Sequence, residues 1–597
     1  MTYPPDLTGQ FSAVAPPWPC CGHGADPAGS PIGCRGRRVE PHEECLAHLG
    51  DSHRAGHLAG LQPGSDLDHR GTPLTEDLLN RLLDAVRDPV TRRPLLGAAR
   101  FDTARFLGDA DFAGTHFSDE VGFEQAVFLG RARFVATKFG GDAQFERARF
   151  RAAQFREARF DGDAWFGEAR FADEVRFDQA RFAGHARFGL ADFVTNAAFD
   201  GAQFLANVSF QGTRFHGHAW FDGARFERDA RLGPLVCAGC LDLSAVVFAA
   251  PAVIEAAARK LSCTRTRWEA TAVLRLRYAT VDLSESVLTH PLTVTAQAAP
   301  FADRTGTGRA EVALEEGDLG DRDTRVHMAS LRGVDAAHLA LHHVDLTHCL
   351  LSGAVHLDQL RLEGDCPLGL PPAGVLQRRR IPMRWTARRT LAEEHYWRAA
   401  QGYDAWTAAP VGVEVLEPSA LAPLYRHLRK SFEDSKNEPD AADFYYGEME
   451  MRRHDLKRPR AERALITLYW AVSGYGLRAS RALAWLLGAM AATVLVMMLW
   501  GLPKEDAKSY PANSAAGQGT SRAGSTTDPI NPDGPLAQRV TSERFEKSAR
   551  VVINSVVFRS STQSLTTSGT YTEMLSRLVE PALLGLGAFA VRGRIKR

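Results

Sequence analysis

The sequence lacks an excess of charge of either sign, because 71 Lys and Arg residues balance 71 Asp and Glu residues in a chain of 597. A nucleic-acid-binding protein usually carries a basic excess, and a protein that imitates DNA carries an acidic one. The balance therefore disfavours both classes, and we expect no nucleic-acid partner.

Cysteine is scarce, at nine residues, and four of the nine lie between Cys20 and Cys45. This distribution argues against the evenly spaced disulfide framework of a secreted protein and favours reduced thiols on a cytosolic side. The first forty residues are rich in Pro and Gly and contain no apolar run of seven. We therefore expect no cleaved signal peptide.

Motifs that would indicate an enzyme are missing as well. The sequence contains no GxSxG, no phosphate-binding loop, no GxGxxG after a strand and no kinase signature. Cys237 and Cys240 form a CxxC pair. Either Cys237 is a small buried thiol of the repeat, or the two cysteines form a redox pair. We predict a non-enzymatic protein; an oxidoreductase would need a bound redox cofactor.

Two hydrophobic segments near the end of the chain are present. "ALAWLLGAMAATVLVMMLWGL" covers Ala482 to Leu502 without a charge, and "LVEPALLGLGAFAV" covers Leu578 to Val591 with Glu580 and Pro581 near its start. The first is long enough to cross a bilayer as a helix, and the second is shorter. Both are predicted to span a membrane, with a buried helix of a soluble domain as the alternative.

Basic residues flank these segments and predict their orientation. Arg478 and Arg481 are the last of eight Lys and Arg residues that precede the first span, and "RGRIKR" follows the second. Cationic flanks stay on the cytoplasmic side. We predict a two-pass plasma membrane protein whose two termini are cytoplasmic, with an extracytoplasmic flexible loop at 503–545.

Phenylalanine recurs with a fixed rhythm, as in "ARFDGDAWFGEARFADEVRFDQARFAGHARF". From Phe101 to Phe226 the steps alternate between five and six, with one slip where Phe150, Phe155 and Phe160 are five apart. On a helix these steps would place successive rings roughly 140° and 240° apart, on nearly opposite sides. Short strands instead point every ring inward, together with the small residue two places earlier.

Units such as "ARFDT", "ADFAG", "ARFRA" and "AQFLA" resemble the pentapeptide-repeat family. The resemblance implies a mainly β fold, a right-handed quadrilateral β-helix (solenoid) with four units per turn. Alternating steps of five and six predict 22-residue coils that need one extra residue at two corners of each turn. The resemblance also implies end-to-end homodimers as one form of assembly.

The remaining segments complete a domain plan. A helix at "TPLTEDLLNRLLDAVRD" with Thr75 as its N-cap is predicted to cap the solenoid. "FADRTGTGRAEVALEEGDLGDRD" is predicted to project as a loop or insert, and the hairpin around "KNEPD" resembles that of membrane-bound pentapeptide-repeat proteins of actinobacterial type. The predicted parts are a Cys/His-rich module at 1–60, the capping helix at 61–97, the Phe-rich solenoid at 98–256, a second, Leu-type solenoid with insert at 257–365, a linker at 366–412, a juxtamembrane helical hairpin at 413–464, an interfacial helix and the first transmembrane helix at 465–502, the loop at 503–545, and the second membrane segment and basic tail at 546–597.

The residue before each phenylalanine faces outward, so that equivalent positions form columns along the solenoid. The predicted binding surface combines one such column with two outward tryptophans: Lys138, Arg159, Arg181, Arg225, Trp165 and Trp220. An Arg-rich face suits an acidic protein partner or anionic lipid head groups. The alternative is a solvated surface that keeps the sheet soluble.

The N-terminal cysteines and histidines suggest a metal site. Cys45 and His48 are predicted on one side of a short helix, and Cys34 with either Cys20 or Cys21 would complete a Cys3His set. Such a set favours zinc, which would also stabilise a module too small for its own core. Ordinary reduced cysteines are the alternative.

The order of first span, loop, "NSVVFRSSTQSLTTSGTY" and second span is similar to a two-helix ion channel. Only Thr567 and Gly569 of "TTSGTY" fit a potassium filter, and Tyr571 is displaced. We therefore expect a membrane protein that uses its solenoid as a protein-docking scaffold, with a channel-like or signal-transducing protein as the alternative.

Overall fold

The computed structural model describes residues 15–26, 32–303, 312–373, 375–378, 381–504, 531–532, 534–557 and 564–595. The chain forms two compact units, Met1–Leu416 and Glu417–Arg597. Each unit is described by itself.

The first unit contains a parallel β-solenoid of about 12 turns. Neighbouring coils pair in register, as Lys138 does with Arg159 and Arg159 with Arg181. The sheet continues without a break through the Ala252–Ser262 strand, which pairs with Ala272–Arg277. The predicted Phe-rich and Leu-type segments therefore belong to one solenoid.

The coils have four sides, numbered here as faces 1 to 4 in chain order from Phe106. Face 1 contains the strands Pro73–Leu74, Arg105–Phe106, Arg170–Phe171, Asp192–Phe193 and Arg214–Phe215. Face 2 contains Ala110–Asp111, Val175–Arg176, Ala197–Ala198, Ala219–Trp220, Thr280–Asp282, Val326–Ser330 and Val344–Asp345. Face 3 contains His116–Phe117, Lys138–Phe139, Arg159–Phe160, Arg181–Phe182, Gln203–Phe204, Arg225–Phe226, Val247–Phe248, Arg267–Trp268 and Val287–Leu288. Face 4 contains Ser65–Asp68, Val121–Gly122, Ala143–Gln144, Ala164–Trp165, Ala186–Arg187, Val208–Ser209, Leu292–Ala296, Leu339–His342 and Arg361–Glu363.

Longer strands turn a corner and contribute to more than one face. They are Leu95–Arg100 on faces 3 and 4, Val127–Arg133 and Arg149–Gln154 on faces 1 and 2, Ala230–Asp242 and Ala252–Ser262 on faces 4, 1 and 2, and Ala272–Arg277 on faces 4 and 1. Two antiparallel pairs lie outside the solenoid sheet, Ala302–Asp303 with Val312–Ala313 and Val375–Arg378 with Ile381–Arg384.

The phenylalanines fill the inside of the coils, as predicted. Phe160 is 1% exposed, and its ring stacks on Phe139 at 4.6 Å and on Phe182 at 4.8 Å between ring centroids. The rings are almost parallel, with interplanar angles of 8° and 3°. From Phe101 to Phe226 each column is therefore a continuous aromatic stack, and burial and stacking act together in these coils.

Two kinds of corner explain the alternating steps. At the five-residue corners, the second residue after phenylalanine has a left-handed backbone, as at Thr103 (φ 56°) and Gln125 (φ 54°). At the six-residue corners, the extra backbone N–H finds an acceptor on the previous coil: Asp163 donates to the Asp142 carboxylate, and His185 to that of Asp163, both at 2.8 Å. The predicted extra residue at two corners is confirmed.

Coil length changes along the solenoid. Arg105 pairs with Val127, 22 residues later, whereas Arg149 pairs with Arg170, 21 residues later, because the slip replaces one six-residue corner. From Val247 to Val287 the coils contain 20 residues, so that Val247 pairs with Arg267 and Arg267 with Val287. The faces stay in register through both changes.

Both ends of the solenoid carry helices. At the first end lie α1 (Asp51–Ala59) and α2 (Glu76–Ala85), and the Thr75 hydroxyl accepts the Leu78 backbone N–H at 3.3 Å as an N-cap. At the other end, α3 (Ala392–Ala400) lies in the segment predicted as a linker. The Glu393 carboxylate of α3 accepts the Leu351 backbone N–H, so this segment is a folded cap.

The described part of the insert, 301–303 and 312–323, packs against the solenoid instead of projecting as predicted, and 304–311 lie outside the described residues. Its buried Phe301, Leu314 and Leu319 pack with Val236 and Tyr278. Ion pairs hold the same segment against the solenoid: Arg214 with Glu315 at 3.0 Å, His216 with Asp318 at 2.7 Å and Arg277 with Glu316 at 3.0 Å. The insert folds back because its apolar residues and its acids both find partners on face 1.

The second unit is helical. Its helices are α4 (Pro418–Asp434), α5 (Glu438–His454), α6 (Arg460–Ser473), α7 (Ala479–Val496, continued by a π-turn at Met497–Gly501), α8 (Ser542–Val556) and α9 (Thr567–Ile595). Short 3-10 turns lie at Gly317–Leu319 and Ala336–His338 in the first unit and at Leu536–Arg539 in the second. The α4–α5 pair confirms the predicted hairpin. Ala479–Gly501 and Thr567–Val591 are long and apolar enough to cross a membrane, and the second begins earlier than predicted.

We expect Phe160→Ala to lower the free energy of unfolding by about 3–5 kcal/mol, because the substitution removes one ring from a closed stack and leaves a cavity. Arg159→Ala is the matched control, since Arg159 is the exposed neighbour on the same strand and should change stability by less than about 0.5 kcal/mol. Thermal unfolding followed by circular dichroism measures both. Equal midpoints for the two variants would contradict the stacked core.

Candidate metal centre and solenoid surface

Three thiols and one imidazole meet near the N-terminus. The Sγ atoms of Cys21, Cys34 and Cys45 and a ring nitrogen of His48 all lie within 4.8 Å of one another. Cys34 Sγ is 3.7 Å from Cys45 Sγ, and His48 Nδ1 is 3.4 Å from the Sγ atoms of Cys21 and Cys45. Sulfur ligands at tetrahedral zinc, with bonds of 2.3 Å, lie about 3.8 Å apart. The four residues therefore fit a metal ion of zinc's size and preference.

Backbone hydrogen bonds bring the first two ligands together. Cys21 N–H donates to the Gly36 carbonyl at 2.8 Å, and Gly22 N–H donates to the Cys34 carbonyl at 2.8 Å. Gly36 is required at its position, because a Cβ there would lie 2.8 Å from the Cys45 sulfur. Its N–H also donates to the Cys34 sulfur at 3.4 Å, a contact typical of the surroundings of a metal thiolate.

The other two ligands come from a turn. His48 N–H donates to the Cys45 carbonyl at 2.9 Å, and α1 begins only at Asp51. The prediction that a short helix carries Cys45 and His48 is therefore wrong. The spacing of three residues nevertheless places both side chains on the same side of the turn. The imidazole of His48 stacks on that of His23 at 4.2 Å, which fixes its orientation.

Cys20 does not belong to the cluster, which resolves the open choice in favour of Cys21. Cys20 pairs through its backbone with Arg37, and its carbonyl accepts the Arg38 Nε–H at 2.8 Å. Neighbouring side chains of an extended segment point to opposite sides, so only one of Cys20 and Cys21 can face the site.

Within the cluster, Cys34 and Cys45 lie in hydrogen-bonding contact, with 3.7 Å between their Sγ atoms. A hydrogen bond from Cys45 lowers the pKa of Cys34 to about 5. The same hydrogen bond, followed by burial, raises the pKa of Cys45. A metal ion would take the place of the shared proton, so that binding releases a proton and weakens as the pH falls.

The Cys/His cluster adjoins the first coil of the solenoid. Arg37 N–H donates to the Arg70 carbonyl at 2.8 Å, and a Cβ on Gly71 would lie 2.5 Å from the Arg35 carbonyl oxygen. Leu46 and Leu49 are buried beside these segments. The module therefore covers the open end of the sheet, where an exposed edge would invite aggregation.

On face 3 the predicted cationic column is present. Lys138, Arg159, Arg181, Gln203 and Arg225 follow one another in register, and all five are exposed. Lys138 pairs with Asp161 at 3.4 Å and Arg225 pairs with Glu227. Arg181 donates to the side-chain oxygen of Gln203 at 3.0 Å. Because Gln203 is neutral, this contact leaves the positive charge of Arg181 on the face.

The two tryptophans are not part of that column. Trp165 lies on face 4 and Trp220 on face 2, one on each side of face 3. Both are half-buried: Arg187 covers the Trp165 ring at 3.9 Å, and His218 stacks on Trp220 at 5.7 Å. The six predicted surface residues are thus spread over three faces.

An acidic column follows the phenylalanines of face 2. Burial, and then the charges of Asp178, Asp222 and Asp242, raise the pKa of Asp200. In the sequence, this column is indicated by the acidic residues that directly follow successive phenylalanines. The CxxC pair behaves as part of the repeat, because burial raises the pKa of Cys237 to about 12 and keeps that thiol protonated.

The buried ionic cluster of the C-terminal cap was missed entirely. The Glu394 carboxylate accepts from Arg388 and Arg398 at 2.6 Å each, and the Arg398 guanidinium lies 4.4 Å from the Trp385 ring centre. Its only signal was the Trp- and Arg-rich composition of 385–406.

The segment compared with a channel filter is helical. Thr567 to Tyr571 form the first turns of α9, and the Thr566 hydroxyl donates to the Trp500 carbonyl at 2.6 Å. A filter needs backbone carbonyls that are free to coordinate ions. In α9 the backbone carbonyls accept hydrogen bonds within the helix. The segment therefore lacks the filter conformation on which the similarity to a channel rested.

These features define a parallel β-solenoid protein that carries a Cys/His cluster at one end. Residues 101–149, 145–192 and 191–233 match the family model described as pentapeptide repeats (9 copies). Over this part of its length, the chain consists of pentapeptide repeats. No curated protein and no solved structure matches the chain significantly.

We expect the purified protein to bind one zinc ion per chain and Cys45→Ser to lose it, because that substitution removes a thiolate ligand at the centre of the cluster. Cys20→Ser is the matched control and should keep the metal. Elemental analysis after dialysis measures both, and acidification should release zinc from the unaltered protein. Metal that persists in Cys45→Ser, or is lost in Cys20→Ser, would contradict the assignment.

Proposed function

We propose that this protein is a non-enzymatic docking scaffold anchored in the plasma membrane, whose face 3 binds an acidic protein partner. The observation that carries the proposal is the column of Lys138, Arg159, Arg181 and Arg225, which stand in register along one flat face.

The geometry of face 3 suits a long acidic ligand. Successive coils are about 4.8 Å apart, so that the column offers a regular series of cations. The positions after phenylalanine are small or apolar in the middle of the face, at Ala183 and Leu205, which leaves room for close approach. Complementary charge then provides orientation and fast association.

The helical unit supports membrane anchoring. Only 28% of the most apolar part of each candidate span is buried, and large apolar side chains such as Leu487, Leu578 and Phe589 are exposed. The core helix of a soluble domain would bury most of such residues. Lipid is the environment that fits them, and the cationic flanks favour a cytoplasmic side for the termini and the solenoid.

The metal centre has a structural place in this proposal. Zinc at Cys21, Cys34, Cys45 and His48 would close the N-terminal end of the solenoid, where a small segment cannot fold on its own core. The first unit would then present its faces as a rigid platform.

We expect the combined Lys138, Arg159, Arg181 and Arg225→Glu variant to lose its protein partner in cross-linking from native membranes, because eight units of charge change on one face. The matched control reverses four exposed arginines elsewhere, Arg100, Arg131, Arg151 and Arg231. A partner that stays with the face 3 variant, or that both variants lose alike, would show that the column does not bind it.

The orientation predicts protection of the solenoid in intact cells. Protease added outside should leave 15–416 uncut and should cleave a recognition site placed at residue 514, in the predicted loop. Most of that loop, 505–530 and 533, lies outside the described residues. Degradation of the solenoid in intact cells would reverse the proposed orientation; lysed cells provide the control for cleavage.

A further inference from the structure

Helix α6 exposes an apolar stripe beside the start of the first candidate span. Leu465 and Leu468 of α6 are 68% and 60% exposed, and their spacing of three residues places them on one side of the helix. Trp485, in the second turn of α7, donates its indole N–H to the Ala471 carbonyl at 3.1 Å, so that the end of α6 lies beside the start of α7. An exposed apolar stripe at that level suits the acyl chains of a bilayer.

Arginines from three helices gather around a single indole. The guanidinium carbons of Arg453 on α5 and Arg481 on α7 lie 4.4 Å and 5.0 Å from the centre of the Trp470 ring. Arg463, two turns before Trp470 on α6, donates its Nε–H to the Arg453 carbonyl at 3.4 Å. The indole N–H donates to the Tyr446 hydroxyl at 3.0 Å, which fixes the ring. The ring therefore holds cations in defined positions at the start of α7.

Two of these cations have no carboxylate partner in the part of the chain that the structure describes. No ion pair joins Arg463 or Arg481 to an acid there, and Glu462, next to Arg463 in sequence, pairs with Arg458 instead. Arg481 donates from Nη1 to the Trp470 carbonyl, a neutral acceptor, at 3.3 Å. The positive charges of both guanidinium groups are thus left for an anion from outside the chain.

The geometry of these cations suits a phosphate group. A guanidinium that packs by its face on an indole presents the N–H groups of its edge, and this planar fork matches two phosphate oxygens. On α6, Arg463 and Trp470 are seven residues apart and share one side, whereas Leu465 lies about 140° from Trp470. Cations on one side of the helix and apolar side chains on the other follow the order of a lipid, with its phosphate toward water and its chains toward the bilayer core.

We propose that Arg463 and Arg481 bind the phosphate of an anionic phospholipid in the cytoplasmic leaflet, with the acyl chains against Leu465 and Leu468. The inference rests on the proposed membrane anchoring. Arg453 has a carboxylate partner at 2.7 Å and holds the indole in place. The source of the phosphate is a lipid, because a soluble phosphate would leave the apolar stripe uncovered.

Native mass spectrometry of the full-length protein in mild detergent tests the proposal, with phosphatidylglycerol, phosphatidylcholine and inorganic phosphate as probes. We expect one phosphatidylglycerol molecule to stay bound to each chain. Phosphatidylcholine should bind about tenfold more weakly, because its head group carries no net charge. Inorganic phosphate should not displace phosphatidylglycerol, because it has no acyl chains.

Arg463→Gln combined with Arg481→Gln should weaken phosphatidylglycerol binding about 30-fold, since each cation near the lipid surface contributes roughly fivefold. The matched control, Arg426→Gln with Arg550→Gln, removes two exposed arginines of the same unit and should leave binding unchanged. Equal affinity of the two double variants, equal binding of the two lipids, or displacement by inorganic phosphate would each overturn the proposal.

A second pair of substitutions keeps the test decisive if the loss of Arg481 disturbs folding. Leu465→Ser with Leu468→Ser changes only exposed side chains, so that the midpoint of thermal unfolding in detergent should stay the same. Phosphatidylglycerol binding should nevertheless weaken, because the acyl chains lose their contact. Undiminished binding by this variant would show that the lipid does not lie on α6.

Extraction of native membranes at alkaline pH separates this result from failure of the membrane proposal. Release of the protein would overturn the anchor and the inference together. Retention of a protein that does not prefer phosphatidylglycerol would overturn the inference alone.

Discussion

The structure depends on one constraint, that every coil in the Phe-rich part of the solenoid must fill its interior with four large side chains. Phenylalanine meets this demand in successive coils, and rings such as Phe123 and Phe145 stack at 5.0 Å. Because the rings set the coils in register, the outward residues also fall into columns. The flat cationic face is thus a consequence of the aromatic core, and a shift of one residue would scatter it.

A solenoid has two open ends, and this protein closes them by different means. At the first end lie α2 and a Cys/His cluster that suits zinc; at the other, α3 holds Glu393 against the last coils. Buried charges accompany the second cap, where Glu394 binds two arginines. Each cap supplies partners for a strand edge that would otherwise be free.

The parts predicted well from sequence are those governed by local rules. The spacing alone predicts the inward phenylalanines, the two extra corner residues and the column through Arg159. Spacing could not choose between Cys20 and Cys21, since that depends on the pairing with Gly36. Nor could it predict the packing of the insert on face 1 or the cap formed by α3, because those contacts join residues far apart in the chain.

The central claim, that face 3 is the docking surface, is tested most directly by a photo-reactive amino acid placed in living cells at Ala183 on face 3 and, separately, at Ala172 on face 1. Both positions follow a buried phenylalanine and are half-buried. The account predicts that Ala183 captures one discrete partner and that Ala172 does not. Capture of the same partner from Ala172 alone would contradict it.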